Sequence, residues 1–391
     1  MKSILVKLEK ASLLIRKNGL LAGSKIVLGY LSTYIRAFFV GSGGILFVSS
    51  GVGDSAHYRA YNPAEELRLH GFKCSTTISD NPNLPKYANK FSVFVFHRVV
   101  VNSYIAELIK KIKEQNKEII FDTDDLVYDP QYLSYMDYFD KLSPVEKKQY
   151  EKGIGAEIVN DPYVKVCTTA VSYLAEKLKE KEKKVILVPN KISNHELELA
   201  DKILENKKVQ DGYIRIGYYS GTLSHNKDFA SITNALIETM EKYKNAKLIL
   251  AGPLDVENRL NKFKDRIEIL PRVPRDKYYE NLYKCDINLA PLELGNPFCE
   301  SKSELKFIEP GILKIPTVAV RNQIFSEAIE DGGDGFLADN TAEWVEKIGK
   351  LIEDENLRKS MGEKVREKVL KDYTNKNSHN EEYYNYIRSK I

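Results

Sequence analysis

Residues 296–320 are the most informative stretch of the chain and read Asn-Pro-Phe-Cys-Glu-Ser-Lys-Ser-Glu-Leu-Lys-Phe-Ile-Glu-Pro-Gly-Ile-Leu-Lys-Ile-Pro-Thr-Val-Ala-Val. Ser301, followed three residues later by Glu304, has the spacing of a capping box, which predicts that a helix begins after Ser301. The first turn of a helix offers backbone amides and the positive end of the helix dipole, so it attracts phosphate. The apolar run that ends at Val320 predicts a buried strand after the helix.

The charged side chains of this predicted helix suit a nucleotide. Lys302 and Lys306 are one helical turn apart and add positive charge where phosphate would bind. Glu309, two turns beyond Lys302, offers a carboxylate that can accept hydrogen bonds from paired sugar hydroxyls. A phosphate at one end and a diol beyond it predict a nucleotide site. Its expected residues are Ser301, Lys302, Ser303, Lys306 and Glu309.

At these residues the sequence resembles the retaining glycosyltransferases of family 4, particularly those of bacterial polysaccharide synthesis. The resemblance implies the GT-B fold, an α/β architecture of two Rossmann-like domains that face a cleft, with a C-terminal helix that crosses back. In that family a glutamate before a Pro-Val strand holds the donor ribose, a place that Glu309 and residues 316–318 match. The family usually has a second glutamate where this chain has Ser301. Pro310 replaces a usual alanine and predicts a bend beside Glu309.

Length and composition predict a soluble protein of two domains. The chain has 391 residues, enough for two domains of ordinary size. Its cysteines are scattered, with no Cys-x-x-Cys pair and no histidine at metal-ligand spacing, so neither a disulfide framework nor a zinc site is expected. This favours the reducing cytoplasm. The cysteines are Cys74, Cys167, Cys285 and Cys299.

Basic charge is concentrated in residues 1–41. This segment has seven basic residues against one acidic residue, a charge of +6, whereas the whole chain carries +4 and the remainder therefore −2. An apolar stripe at helical spacing accompanies the charge. Together they predict either a helix that lies on an anionic membrane or a helix that packs on its own domain. The stripe is Ile4, Leu8, Ala11 and Ile15, and the basic residues are Lys2, Lys7, Lys10, Arg16, Lys17, Lys25 and Arg36.

The sequence predicts neither a membrane-spanning segment nor a secretory signal. Lys25 and Arg36 interrupt the only long apolar stretch and leave roughly ten uncharged residues, about half of what a bilayer requires. No small-residue cleavage site follows a compact apolar run. We expect a cytoplasmic protein that can be peripheral on the inner face of the cell membrane.

Apolar runs alternate with helical patterns, which predicts two α/β domains with parallel sheets. Residues 42–195 are expected to form a Rossmann-like acceptor domain, and residues 210–375 a Rossmann-like nucleotide-sugar-binding domain. Residues 191–211 resemble a polar linker with a short helix, and residues 376–391 the crossover helix. Predicted strands cover residues 45–48, 91–96, 118–121, 163–167 and 185–188 in the first domain and 213–219, 247–251, 267–270, 287–290 and 317–320 in the second.

The first loop of the second domain repeats the phosphate-binding pattern. Gly221 and Thr222 follow a predicted strand directly, and Gly221 lets the backbone approach a ligand closely. The resemblance places Lys227 near the donor diphosphate, while a solvated loop lysine is the alternative. A helix is expected over residues 228–242, with Asp228 as its N-cap. No Gly-x-Gly-x-x-Gly motif is present, so a nicotinamide cofactor has no support.

Three carboxylates, Asp122, Asp124 and Asp125, follow a predicted strand of the first domain. They match the Asp-x-Asp-Asp-Leu sequence of polysaccharide-related GT-B enzymes, which need no metal. An acceptor-side role, a turn with a helix cap, and a metal site remain as alternatives. Acceptor binding is preferred because the carboxyl ends of parallel strands line the crevice of such folds.

Arg59 and His97 complete the candidates in the first domain. The resemblance extends through Arg59, which could bind a phosphate of donor or acceptor with both arms of its guanidinium. His97 ends a predicted strand and is either a catalytic participant or a hydrogen-bonded structural residue. In the mechanism implied by the resemblance, Lys227, Lys302 and the helix amides stabilise the departing diphosphate, which itself takes the acceptor proton.

The sequence therefore predicts a retaining, metal-independent glycosyltransferase of cell-surface polysaccharide synthesis. Its expected partners are a nucleotide-diphosphate sugar and a glycan or lipid-linked acceptor, with no cofactor and no nucleic acid. A catalytically silent subunit that binds a nucleotide sugar or glycan is the alternative, which Ser301 in place of the usual glutamate permits. A nucleotide-sugar isomerase shares the fold, but its carboxylate and histidine pattern is not matched.

Overall fold

The computed structural model describes Ser12 and residues 20–221 and 226–391. The chain divides into two compact units, Met1–Asn190 with His379–Ile391, and Lys191–Ser378. The division therefore falls before residue 195, where the sequence had placed the end of the first domain. The segment expected to be a linker with a short helix contains the helix Asn194–Leu204, which belongs to the second unit. Thr222 and the stripe from Ile4 to Ile15 lie outside the described residues.

The first unit is built on a six-stranded parallel sheet in the order β2-β1-β3-β4-β5-β6. Three of its four inner strands, β1, β3 and β5, are buried along their whole length, as expected of strands covered on both faces. The edge strand β2 was not predicted from the sequence. The strands are β1 Ile45–Ser49, β2 Cys74–Ile78, β3 Val93–His97, β4 Glu118–Thr123, β5 Val166–Thr169 and β6 Lys184–Leu187.

The helices of the first unit connect these strands. Helix α1 precedes the sheet, and a π-helical turn, His57–Tyr61, joins two of the helices after β1. Short 3-10 helices, Leu126–Tyr128, Pro130–Tyr135 and Phe139–Lys141, follow β4. The α-helices are α1 Leu20–Arg36, α2 Asp54–Ala56, α3 Asn62–Leu69, α4 Leu84–Tyr87, α5 Ser103–Glu114, α6 Pro144–Lys152, α7 Ala156–Val159 and α8 Ser172–Lys179.

The last helix, α18 (Glu381–Arg388), completes the core of the first unit. Tyr383, Tyr384 and Ile387 are buried in one apolar cluster with residues of β1, β3 and α3. The Tyr384 hydroxyl donates a hydrogen bond to Glu66 of α3. This confirms the predicted return of the C-terminal helix to the first domain.

The second unit has a six-stranded parallel sheet in the order β12-β11-β10-β7-β8-β9. Its edge strand β12 was also not predicted. The strands are β7 Ile214–Tyr219, β8 Ala246–Ala251, β9 Ile267–Leu270, β10 Ile287–Ala290, β11 Thr317–Val320 and β12 Phe336–Ala338. The helices are α9 Asn194–Leu204, α10 Asn226–Ala230, α11 Thr233–Lys242, α12 Arg275–Leu282, α13 Pro297–Glu300, α14 Leu305–Ile312, α15 Gln323–Ala328, α16 Thr341–Glu353 and α17 Glu355–Asp372, with a 3-10 helix at Asn258–Arg266.

Two helices of the second unit differ from expectation. The helix predicted over residues 228–242 is two helices, α10 and α11, and Asp228 lies inside α10 instead of capping it.

Helix α9 begins with a capping box in which Ser193 and Glu196 satisfy each other's backbone amides. In the described part of the chain, no helix combines the length and apolar character that crossing a bilayer requires.

Candidate functional site

Helix α14, which carries Lys306 and Glu309, begins at Leu305 and not after Ser301. Ser301 is instead the C-cap of α13, and its hydroxyl donates to the carbonyl of Phe298 at 2.9 Å. The predicted capping box is therefore wrong. Asn296 is the N-cap of an earlier helix, α13, because its side chain accepts a hydrogen bond from the amide of Phe298, and Pro297 occupies the first position of that helix. Ser301 therefore lies at the end of α13 and not at the start of a helix.

Pro310 lies inside α14 and leaves the carbonyl of Lys306 without its usual helical amide. The side-chain amide of Asn288, on β10, donates to this carbonyl at 2.6 Å. The neighbouring Gly311 allows close packing on α17, because a Cβ at that position would lie 2.6 Å from Val365. The helix is thus held on the sheet and against α17 at the turn that bears Glu309.

Lys306 points its amine towards the carboxyl end of β7. The Nζ atom donates to the carbonyl of Tyr219, the last residue of β7, and lies 4.9 Å from the ring centroid of Tyr218. Burial lowers the pKa of Lys306, although the charges of Asp228 and Glu309 favour its protonated form. The predicted donor residues Lys306 and Glu309 and the helix that carries Lys227 are therefore within electrostatic reach of one another.

Glu309 belongs to a buried ionic group that the sequence did not reveal. One carboxylate oxygen accepts from Arg275 Nη1 at 3.3 Å, and the other accepts from the Tyr278 hydroxyl at 2.7 Å. The same Arg275 nitrogen donates to Glu196 of α9 at 2.8 Å. Two carboxylates therefore share one guanidinium, and α9, α12 and α14 are joined through it.

The loop after β7 lies beside the strand end that Lys306 contacts. The Ser220 amide donates to Ala251 at 2.8 Å, and Gly252, at φ +88°, leaves space for the Ser220 carbonyl, which a Cβ would approach to 1.9 Å. Gly221 is exposed, and Thr222 lies outside the described residues. Ser220, the residue before Gly221, is thus held beside the end of β7.

Lys227 and Lys302 belong to two segments that are tied together. Lys227 is in α10, where the neighbouring Asp228 accepts from the amide of Glu293 at 3.1 Å and from Cys299 Sγ at 3.3 Å. Lys302 and Ser303 occupy the turn between α13 and α14, and both are half-buried. The structure therefore brings the turn with Lys302 and the helix with Lys227 to the same part of the second unit.

A second polar group lies in the first unit, at the carboxyl ends of β3 and β4. Arg59 holds Asp122 with two hydrogen bonds, Nε to Oδ1 at 3.1 Å and Nη2 to Oδ2 at 2.6 Å. Thr168 donates to Oδ2 at 2.6 Å, and His97 Nδ1 lies 2.8 Å from Oδ1. The side chains of Arg59 and Asp122 are 0% and 3% exposed. Neither has surface for the direct ligand contact that was expected of it.

His97 joins this group to a second aspartate. Because the Asp122 carboxylate only accepts, the ring carries its proton on Nδ1, and Nε2 lies 2.6 Å from Ser55 Oγ. Ser55 donates to Asp124 at 2.8 Å, and Arg98 donates to the other oxygen of Asp124 at 3.1 Å. Arg98 has a left-handed backbone, at φ +49°, which is uncommon for a residue with a side chain.

In this group, the ion pairs affect the pKa values of the two carboxylates more than burial does. Burial alone would raise the pKa of Asp122, but the charge of Arg59 and the hydrogen bond from His97 hold it below its ordinary value. Burial would also raise the pKa of Asp124, but the nearby charges of Arg98 and His97 lower it below its ordinary value. Both carboxylates are therefore ionised at neutral pH.

Asp125 has the cap geometry that was one of the alternatives for the aspartate run. Its Oδ1 accepts from the Leu126 amide at 2.8 Å and begins the 3-10 helix after β4. Among residues 20–221 and 226–391, no group of three or more histidine, cysteine, aspartate or glutamate side chains has an arrangement that could hold a metal ion.

Sequence reasoning missed Ser55, Thr168, Arg275 and Tyr278, as well as the partnership of Glu196 with Arg275. Arg275 is 79 residues from Glu196 and 34 from Glu309 along the chain. Tyr278 lies in α12, and the order of polar and apolar residues in this helix is that of an ordinary half-buried helix. Nothing local in the sequence marks these residues, because only the packing of α12 against α9 and α14 brings them to their partners.

Comparison with known proteins supports a glycosyltransferase. Residues 201–368, somewhat less than half of the chain, match the model of the family described as glycosyl transferases group 1. The match includes Lys227, Arg275, Lys302, Lys306 and Glu309. No protein of curated function matches the sequence.

Solved structures of low identity share the fold. A glycosyltransferase from Rickettsia africae is 16% identical, with a TM-score of 0.59 over 90% of this chain and 100% of that one. Alr3699/HepE of Anabaena, solved with UDP and glucose, is 11% identical, with a TM-score of 0.56 over 85% and 96%. Sucrose-phosphate synthase of Thermosynechococcus elongatus is 13% identical, with a TM-score of 0.54 over 85% and 95%. These likenesses confirm the GT-B fold.

Proposed function

We propose that the protein transfers a sugar, with retention of anomeric configuration, from a nucleotide-diphosphate sugar to a glycan or lipid-linked glycan of the cell surface. The observation that carries this proposal is helix α14. It lies within the stretch that matches glycosyl transferases group 1 and bears both Lys306, at the end of β7, and Glu309, held by Arg275 and Tyr278.

In this proposal the second unit binds the donor. Glu309 accepts hydrogen bonds from the ribose hydroxyls, and Arg275 and Tyr278 position its carboxylate. Gly221 and Thr222 contact the diphosphate through the loop after β7. Lys306 holds the end of β7 in place through the carbonyl of Tyr219.

Departure of the nucleoside diphosphate creates negative charge, and this is where fixed positive groups lower the barrier. Lys227, Lys302 and the amides at the start of α14, next to Ser303, serve this role. The leaving phosphate accepts the proton of the attacking hydroxyl, so the reaction requires neither a separate base nor a metal ion.

The first unit serves the acceptor. Asp124, whose side chain is 19% exposed, is the residue assigned to contact the acceptor, and Asp125 lies beside it on the acceptor side. His97, expected as a catalytic participant, is only 1% exposed, so with Arg59 and Asp122 it acts as a positioning residue, linked to Asp124 through Ser55. We place the protein in the cytoplasm, because its four cysteines are free, as expected in a reducing compartment.

Calorimetric titration of the full chain with UDP, GDP, ADP and their glucose conjugates tests the proposal. We expect one nucleoside diphosphate to bind, and Glu309→Gln to weaken it while the matched surface variant Glu268→Gln, whose side chain is 51% exposed, does not. If none of these nucleotides binds to folded protein, the proposal fails.

Ser301 favours a second candidate, a catalytically silent subunit that binds a nucleotide sugar. The family resemblance expects a glutamate at this position, and the Ser301 hydroxyl is buried and donates to a backbone carbonyl. Release of free nucleoside diphosphate from a bound donor, followed by mass spectrometry, distinguishes the two. Binding without any hydrolysis or transfer supports the silent subunit.

A further inference from the structure

Helix α1 and the turn after it carry exposed apolar side chains along one face. Leu28, Leu31, Ile35 and Phe39, which we call the apolar stripe, are 62%, 48%, 51% and 80% exposed. Their spacing of three or four residues places them in a row. With Tyr30 they are five of the fifteen large apolar side chains exposed in the described part of the chain. Such a concentration marks a binding surface, whereas single exposed apolar residues do not.

The stripe is exposed although the end of α1 is fixed to the first unit. Ala37 is buried, and its carbonyl accepts from the Thr77 hydroxyl at 2.8 Å. Asn81 donates to the carbonyl of Phe38 at 3.4 Å, and the rings of Tyr34 and Phe38 pack edge to face. The outward direction of the stripe is therefore part of the fold.

Cations lie on both sides of Phe39. A hollow of about 500 Å³ on one side is lined by Lys86 and Lys90, and Lys90 lies 5.7 Å from the ring centroid of Tyr87. A hollow of about 280 Å³ on the other side is lined by Arg36 and Arg68. Phe39 lines both hollows.

Other charges near this face do not reverse its sign. The carboxylate of Asp80 accepts from the Tyr34 hydroxyl at 3.4 Å and is the acidic group bonded to α1 in the described part of the chain. The preceding residues 1–19 contain five basic residues and one acidic residue. The face and the sequence that leads into it therefore have the same positive sign.

We propose that the apolar stripe and the four cations beside Phe39 form a docking surface for an anionic phospholipid bilayer. An interfacial helix places its apolar side chains at the boundary of headgroups and acyl chains, about 5–10 Å deep. Lysine and arginine at the same level then meet lipid phosphates. This apolar stripe, from Leu28 to Phe39, is a different segment from the apolar residues between Ile4 and Ile15 that the sequence predicted to lie on a membrane or on their own domain.

A second copy of this chain is a poorer occupant. A two-fold dimer places the same patch on both sides of its interface, so the cations beside Phe39 would face their own equivalents. A bilayer with anionic headgroups offers the opposite charge together with an apolar layer. The complementary charge decides in favour of lipid.

Sedimentation of the full chain with vesicles tests the proposal without any nucleotide. Binding should be strong to vesicles of phosphatidylcholine with about 30 mol% phosphatidylglycerol, whose anionic headgroups attract basic side chains, weak to phosphatidylcholine alone, and reduced by salt. Leu31→Ser/Ile35→Ser/Phe39→Ser should lower partitioning by about a hundredfold, since three apolar side chains lose their lipid contact. Lys86→Ala/Lys90→Ala should lower it by about tenfold at low salt.

Matched controls replace equally exposed residues elsewhere. Val209→Ser/Ile269→Ser removes apolar side chains that are 70% and 68% exposed, and Lys110→Ala removes a lysine whose side chain is 76% exposed. Neither should change vesicle binding. All these variants should bind the nucleotide donor with the same affinity. The vesicle experiment can therefore refute the lipid surface without refuting the proposed enzymatic function, and nucleotide titration can refute that function without refuting the lipid surface.

Three results would overturn the proposal. Equal binding to neutral and anionic vesicles excludes the role of the cations. A dimer in sedimentation equilibrium without lipid, dissociated by the triple serine variant, identifies the face as a contact between copies. A lower melting temperature of that variant with unchanged vesicle binding shows that residues 1–19 of the chain itself cover the stripe.

Discussion

The two polar groups, one in each unit, are organised around opposite charges. In the first unit, Arg59, His97 and Thr168 converge on the carboxylate of Asp122. In the second unit, the carboxylates of Glu196 and Glu309 converge on the guanidinium of Arg275. The side chain at the first centre is 3% exposed and that at the second is 21% exposed. This difference teaches that the first group chiefly supports the fold, whereas the second is accessible enough to respond to a ligand.

The largest effect is expected from removal of the first centre. Asp122→Ala leaves the buried charge of Arg59 without its partner, which should cost the first unit about 3–5 kcal/mol of unfolding free energy. Urea unfolding should be followed by far-UV circular dichroism and by the fluorescence of Trp344. Because Trp344 is the only tryptophan and lies in the second unit, its transition should move less than the circular dichroism.

Two variants control this prediction. Asp140→Ala, at a carboxylate that is 99% exposed, should change stability by under about 0.5 kcal/mol. Arg59→Met/Asp122→Leu removes both charges and should be more stable than Asp122→Ala alone. A double variant as unstable as the single one would contradict the explanation by an unpaired charge.

Acid should weaken the first unit through the same carboxylates. The pKa of Asp122 is held below its ordinary 3.8, so the unfolded chain takes up a proton first as pH falls. The stabilisation is complete above pH 3.8 and declines below it, towards the lowered pKa of the folded state. Asp122→Asn should lose this part of the pH dependence. Parallel stability curves for both proteins between pH 5 and 2 would count against it.

Changes to the second group should affect donor binding more than stability. Glu309→Gln removes a charged acceptor and should weaken nucleotide binding by about 1.5–3 kcal/mol. Tyr278→Phe removes only the hydrogen bond that positions Glu309 and should cost about 1 kcal/mol of affinity. Calorimetry measures both, with urea unfolding as the check on folding. Unchanged nucleotide affinity in folded Glu309→Gln would refute the ribose assignment.

The two lysines assigned to the diphosphate should act on the same ligand. Lys302→Ala and Lys227→Ala should each lower turnover and nucleoside diphosphate affinity by about tenfold, as expected for one charge-assisted contact. The double variant should lose less than the product of the two effects, because neighbouring contacts to one group are not independent. An effect confined to acceptor affinity would place Lys302 elsewhere.

The smallest effect, none, is expected from chelation. Asp122 and Asp124 are bonded to Arg59, Arg98 and His97, and Asp125 caps a 3-10 helix, so transfer should continue in excess EDTA. Loss of activity in the chelator, restored by magnesium or manganese, would revive the metal interpretation of Asp122, Asp124 and Asp125.

The sequence predicted the central strands of both sheets and the edge strands β6 and β9, but not the edge strands β2 and β12. β1, β3, β10 and β11 are short apolar runs that are buried on both faces, and such runs are visible in a sequence. β2, with the sequence Cys-Ser-Thr-Thr-Ile, is half-exposed over its first three residues, and β12 has only three residues. β2 and β12 therefore give a weak signal, because one is partly polar and the other is very short, as edge strands often are.

For the candidate site, the sequence placed two residues on one helix but did not reveal the geometry around them. Lys306 and Glu309 lie on one helix, as expected from their spacing. The helix start was misplaced because Ser301 and Asn296 both have N-cap chemistry and only packing decides between them. The partners of Glu309 come from distant segments, which no local pattern reveals. Similarly, Arg59 appeared available for phosphate until Asp122 was seen to occupy its guanidinium.

The position of α18 sets an order for events on the ribosome. Residues Lys191–Ser378 form one continuous unit and can fold as soon as they emerge, whereas the first unit lacks Tyr383, Tyr384 and Ile387 of its core until they are made. At about 5–20 residues per second, the ribosome needs on the order of 10–40 s to translate the intervening segment. During this time the sheet formed by β1 to β6 lacks the part of its core that α18 supplies. The N-terminal half is thus made first and finished last, and chaperones have that interval in which to bind it.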